Sequence, residues 1–241
     1  MNKTWTRTVM VVVVAAAVAF WVFFDKKQQS PEQQLNTALN DMPAWQVIKE
    51  QEPALHQRIL DQMAALQKAG EPEQQIIDTI QPQILHLQMS RLQNAPDANV
   101  VNYMTINMEQ TAAIQKVSDD ACFRFLYPTV KGGVNPMRML DKDLMARRMQ
   151  ADADMMRAAY GKNRHTVTQA ERKAAVEDVR PIMKALADKY GEDIQLLQMP
   201  EKAAGKEKLS CDMVQEMWAK VLALPEQKAA GVIRLAVSEL E

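Results

Sequence analysis

From Val9 to Phe24 the chain runs for sixteen residues without a polar side chain, and a stretch of this kind has to be kept out of water. At 1.5 Å per helical residue it covers about 24 Å. Counted from Trp5, the twenty positions to Phe24 cover about 30 Å, the thickness of a bilayer's hydrocarbon core. Trp5 and Trp21 then fall where aromatic belts belong, and charges mark both ends: Lys3 and Arg7 before, Asp25, Lys26 and Lys27 after. The expectation is a single transmembrane helix at residues 9–24, behind a short tail at 1–8. Two other fates fit the same run. Ala17-Val18-Ala19 has the small-x-small form that signal peptidase reads, although cleavage there leaves Phe20 to Phe24 as an apolar new terminus. A short apolar run also suits a buried core helix. Lys and Arg are tied at two on each side, so the short basic tail and its amine set the orientation. The N-terminus is then cytoplasmic and the bulk of the chain periplasmic, on a bacterial inner membrane.

The remainder reads as all-α. Aromatic residues are 5% of the chain while apolar residues are 47%, and there are 17 Met against 7 Gly. A core can therefore form, but from unbranched, helix-compatible side chains rather than the β-branched and aromatic clusters of strands. After a polar stalk at 25–30, residues 31–241 are expected to form a helical ectodomain of roughly eight or nine helices. Ser30-Pro31, with Gln33 answering the cap, starts the first; Pro43, Pro53 and Pro72 stand where later first turns begin. Leu55, Ile59, Met63 and Leu66 form an amphipathic stripe that Gly70 ends. Pro82 is expected to kink the next helix and Pro181 to bend a later one. A long helix is expected from Pro136 to Tyr160. Thr168 and Glu171 form a capping box, and Ser210 is expected to cap a helix carrying Met213 and Met217. Residues 201–208 read as a loop, and residues 128–136 are the one candidate division between two halves. No solenoid period recurs.

Cys122 and Cys211 are the chain's two cysteines, and an even count in a translocated domain points to a disulfide. Cysteine catalysis would need a histidine beside the thiol, and His56, His86 and His165 carry no flanking motif; His86, among apolar residues, reads as a core histidine. Met104/Met108, Met145/Met149 and Met213/Met217 are spaced for soft-metal ligation, but the same spacing is that of a core stripe, and the core reading is preferred. Asp141/Asp143 and Asp152/Asp154 lack the glycine and terminal glutamate of a calcium loop and read as solvated helix faces. No phosphate loop, nucleophile elbow or zinc spacing occurs, so no catalytic residue, cofactor or metal is assigned and an enzyme is not expected. A net charge of −1 gives no basic footprint for nucleic acid.

Two aromatic stretches remain. Trp45 lies in one; Phe123, Phe125 and Tyr127 crowd beside Cys122 in the other, with Arg124 among them. Either they fill wide gaps in an aliphatic core, or they form an exposed anchor set for a protein partner. The functional expectation is a membrane-anchored helical protein that binds another, still unidentified, protein in the extracytoplasmic space, as scaffold, assembly factor or chaperone. A periplasmic inhibitor or immunity-type protein is the alternative.

Overall fold

Proline opens the first helices. Pro43 and Pro53 take the first positions of α1 (Pro43–Gln51) and α2 (Pro53–Lys68), where a missing N–H breaks no helical bond. Pro72 and Pro96 directly precede α3 (Glu73–Asn94) and α4 (Asp97–Val117). The structure, a computed structural model, describes residues 42–238. The tail, the apolar span at 9–24, the Ala17–Ala19 site, the stalk and the helix start at Ser30 lie outside the described residues. Among the described residues there are ten α-helices, three short 3-10 segments and no strand. None of these helices is long and apolar enough to cross a membrane.

The remaining helices are α5 (Asp119–Leu126), α6 (Pro128–Lys131), α7 (Lys142–Tyr160), α8 (Gln169–Tyr190), α9 (Glu207–Leu222) and α10 (Glu226–Val237). Side-chain caps fix three of their starts. Ser118 Oγ accepts from the Ala121 N–H at 3.3 Å, Asp141 Oδ1 from Leu144 at 2.8 Å, and Thr168 Oγ1 from Glu171 at 3.1 Å. Each such bond answers one orphan amide and is worth about 1 kcal/mol. Gly191 ends α8 at φ 56° and ψ −130°, a conformation that a side chain would strain. The helices α3 and α8 continue across Pro82 and Pro181.

Several boundaries differ from the sequence expectation. Pro136 opens only a 3-10 turn, Pro136–Arg138; the long helix waits for Asp141, whose carboxylate supplies the cap. Ser210 is no cap but lies inside α9, 1% exposed, because that helix already starts at Glu207 after Gly205 turns the chain at φ 78°. Pro128 ends α5 and at once begins the one-turn α6.

At the centre of the bundle is α4, which touches α5, α7, α9 and α10. Val100, Tyr103, Met104, Ile106, Asn107, Gln110, Thr111 and Ile114 are all buried, so both polar and apolar faces of this helix are covered. One side of α4 is covered by α7, which also carries α1 and α3, while α10 covers another and is itself backed by α8. A single cluster of buried side chains runs from Trp45 to Val237 and draws on both sides of the 128–136 segment. Met104, Met145, Met213 and Met217 are buried and Met108 and Met149 half-buried, placing the methionine pairs in or against the interior.

Cys122 on α5 and Cys211 on α9 are both fully buried, with their sulfurs 2.19 Å apart and their Cα atoms 6.3 Å apart. They stand as a disulfide spanning 89 positions. In the chain-entropy picture a loop of that size is worth about 4–5 kcal/mol, a large part of a domain's margin. The Cys122→Ala/Cys211→Ala chain is expected to lose about 4 kcal/mol in urea unfolding, and reductant should shift the wild-type midpoint but leave the variant's unchanged.

Candidate functional site

Arg234 sits in the run GVIRLAV, whose apolar neighbours draw α10 into the core and take the arginine with them. Its side chain is 1% exposed, so the guanidinium has to find partners inside. It finds them on two segments. Nη2 donates to the Ala95 carbonyl and to Asp97 Oδ1, both at 2.7 Å, where α3 hands over to α4. Nη1 donates to Glu171 Oε1 at 3.0 Å, in the first turn of α8. The other Glu171 oxygen meets His165 Nε2 at 2.7 Å, and the His165 N–H donates to the Asn94 carbonyl at 2.7 Å. Gln93 closes the circuit by donating to the Arg234 carbonyl at 2.8 Å.

This latch forms one wall of a cleft of about 640 Å³ between α8 and α10, lined by Asp97, His165, Thr168, Glu171, Asp178 and Lys228 over a floor of Ala174, Ala175 and Gly231. Burial pushes the Glu171 carboxyl upward, but the bond to His165 and the charges of His165 and Arg234 outweigh it and hold the group below its ordinary value of 4.5. Asp178 is answered by Lys228 at 2.6 Å and Glu177 by Arg180 at 2.6 Å. The carboxylates of the cleft are thus paired, and the network fixes the 161–168 loop against the end of α3. Among the described residues no hydrogen bond joins a Ser, Thr or Cys nucleophile to a histidine, and no group of three or more His, Cys, Asp or Glu side chains is placed to hold a metal ion.

A second buried charge sits across α4. Arg148 and Asp152, one turn apart on α7, are 1% and 2% exposed, with Nε and Oδ1 2.9 Å apart. The Arg148 guanidinium lies 4.3 Å from the Tyr103 ring centre. Burial raises the Tyr103 phenol to about 12, with the Arg148 charge pulling the other way, so the phenol stays protonated at neutral pH. Burial also works against the Arg148 cation, but Asp152 and Tyr103 hold it charged. Asp152 is thus not on a solvated face as expected: at i+4 from Arg148 it lies on the same inward stripe as Met145, Met155 and Met156. Its neighbour Asp154 is exposed and accepts from Gln150 at 2.8 Å.

The aromatics singled out in the sequence are interior. Trp45 is 3% exposed, Phe123 2%, Phe125 0% and Tyr127 1%; the last three fill the core beside Cys122, and Trp45 is buried in α1 at the other side of the body. Aliphatic side chains alone leave wide gaps, and these rings close them. Trp45 stacks on His56 with ring centres 4.6 Å apart. Arg124 is half-exposed and turned to the Gly132 and Gly133 carbonyls at 3.2 and 2.7 Å, closing the α5–α6 turn. His86 is exposed rather than in the core. Among the described residues the aromatic that does face solvent is Tyr160, the last residue of α7, at 60% exposure. Its ring rests on Arg91, whose guanidinium is 4.5 Å from the ring centre and itself bonded to Glu52 at 2.5 Å. Tyr160 ends the α7 stripe directly before Gly161 and the polar run KNRHT, a signal that could have marked it as the stripe's open end.

Comparison with protein-family models, curated proteins and solved structures finds no match to this chain.

The Glu171 geometry fixes an acid response. A carboxyl held below 4.5 in the folded state takes up its proton more readily when unfolded, so its contribution to stability is present above that value and lost as pH falls through the lowered one. In urea titrations from pH 6 downward, Glu171→Gln is expected to be less stable than wild type at pH 6 and to show a shallower loss on the acid side. Parallel acid limbs would contradict it.

Proposed function

We propose that the chain is a single-pass, membrane-anchored protein whose helical body lies in the extracytoplasmic space and acts by docking onto another folded protein, as a scaffold or assembly factor. The observation that carries the reading is the buried Cys122–Cys211 pair, held at bonding distance across 89 positions. Pairs of this kind persist where the compartment oxidises thiols, and the apolar run at 9–24 supplies a route there.

The surface supports docking over capture of unfolded segments. A chaperone of that kind needs a broad apolar groove, whereas the large apolar side chains exposed among the described residues are Val117, Val130 and Tyr160. The paired carboxylates and the latch favour a rigid body with a fixed outline, which suits recognition of a folded partner at low ordering cost.

Thiol alkylation in intact cells, followed by denaturation with and without reductant, tests the compartment. Both cysteines should be blocked until reductant is added; two free thiols in freshly denatured cells would remove the basis of the reading. Purification of the full chain from detergent-solubilised membranes should then bring down a second protein in constant ratio, and a chain that fractionates with the soluble proteins would contradict the anchor.

A further inference from the structure

The end of the molecule around Tyr160 has an organisation that the latch and the cross-link do not use. Four segments meet there: the last turn of α1, the start of α2, the Arg91 turn of α3, and α7 running into the 161–168 loop. Tyr160 is 60% exposed, yet its ring is not loose. One face lies on the Arg91 guanidinium, 4.5 Å from the ring centre, and Arg91 is 8% exposed and paired with Glu52 at 2.5 Å. The ring is therefore presented in a fixed position, with its ordering cost already met by the fold. Beside it Arg157 meets Glu50 at 3.8 Å. The loop that follows is exposed through Lys162, Asn163 and Arg164, and its far end is pinned by the His165 N–H on Asn94.

The charges of this tip do not balance. Glu50 is answered by Arg157 and Glu52 by Arg91, while Lys162 and Arg164 make no ion pair among the described residues. A held tyrosine flanked by two uncompensated cations has the composition of an interface hot spot, in which Tyr and Arg are enriched. The excess positive charge complements a negative surface.

We propose that Tyr160, Lys162 and Arg164 form a docking surface for an acidic face of a partner protein, a step that rests on the protein-binding reading above. A lipid surface fits less well. Interfacial binding to membranes draws on a broad apolar face, and this tip carries one exposed ring. Arg91 is a positioning residue, since it acts through the ring it supports.

A photo-cross-linking amino acid, p-benzoylphenylalanine, placed at Asn163 in the full chain in its own cells tests this. The control position is Val117, which is 61% exposed. The pairings Tyr103–Arg148 and Gln110–Met145 make α7 antiparallel to α4, so Val117 lies at the other end of the bundle. Position 163 should give one discrete protein adduct whose joined peptide holds more Asp and Glu than Lys and Arg, and position 117 should not. Tyr160→Ala and Lys162→Glu/Arg164→Glu should each cut the adduct yield several-fold without moving the melting temperature. Arg91→Met should lower the yield through the freed ring, and Arg91→Lys should restore part of it. A phospholipid adduct, a neutral or basic joined peptide, or a yield unchanged by the charge reversal would overturn the proposal. An adduct from 117 but not 163 would overturn the tip and leave protein docking standing; no adduct from either would remove both.

Discussion

A guanidinium at 1% exposure cannot be left without partners, and the way Arg234 is satisfied arranges the end of the molecule around it. Removing such a charge from water costs several kcal/mol, recovered only if geometry and charge are both right. Here two carboxylates, Asp97 and Glu171, and the Ala95 carbonyl share the task. Because these groups come from the α3–α4 turn and the start of α8, the arginine can be buried only when both are in place. His165 extends the same logic by one residue, since its ring is held by Glu171 and its amide by Asn94. The eight-residue loop 161–168 is thereby pinned at its fifth residue.

The rest of the bundle meets a related problem by other means. Asn102, Glu109 and Lys116 of α4 reach solvent, but its inward polar residues have to be satisfied inside the bundle. Thr111 bonds back to the Asn107 carbonyl, Gln110 reaches the Met145 sulfur, and Tyr103 lies under Arg148. Arg148 and Arg234 thus flank α4, one from α7 beside Tyr103 and one from α10 at the start of the helix. The cross-link acts elsewhere, clamping α5 to α9 beneath the aromatic cluster. One half of the body is held by a covalent bond and the other by buried charge.

Much of this fold was written in local chemistry. Pro43 and Pro53 at first helical positions, the Thr168 cap and the stripe through Ile59 and Met63 all act over one or two turns, and all were legible. The cysteine pairing was legible because only one pairing exists. The charged interior was not. Arg148 and Asp152 look like a solvated i,i+4 pair until their place on the Met145–Met156 stripe is counted, and the partners of Arg234 lie 63 and 137 positions away. The capping box at Thr168 was half right: the hydroxyl caps, but the Glu171 carboxylate turns to His165 and Arg234 instead of back to the cap. Exposure was legible only in part: Trp45, Phe123, Phe125 and Tyr127 take the core reading that the sequence offered, while Tyr160, exposed among the described residues, did not stand out.

The central claim is that the Arg234–Glu171–His165 latch holds the 161–168 loop, and through it the Tyr160 end, in one arrangement. Backbone hydrogen exchange of the full chain measures this directly. The His165 amide, bonded to the Asn94 carbonyl, should exchange far more slowly than the exposed amides of Lys162 and Asn163, and its rate should rise to theirs in Arg234→Met while the amides of α9 stay protected. A His165 amide that exchanges at the rate of its loop neighbours in the wild-type chain would contradict the account.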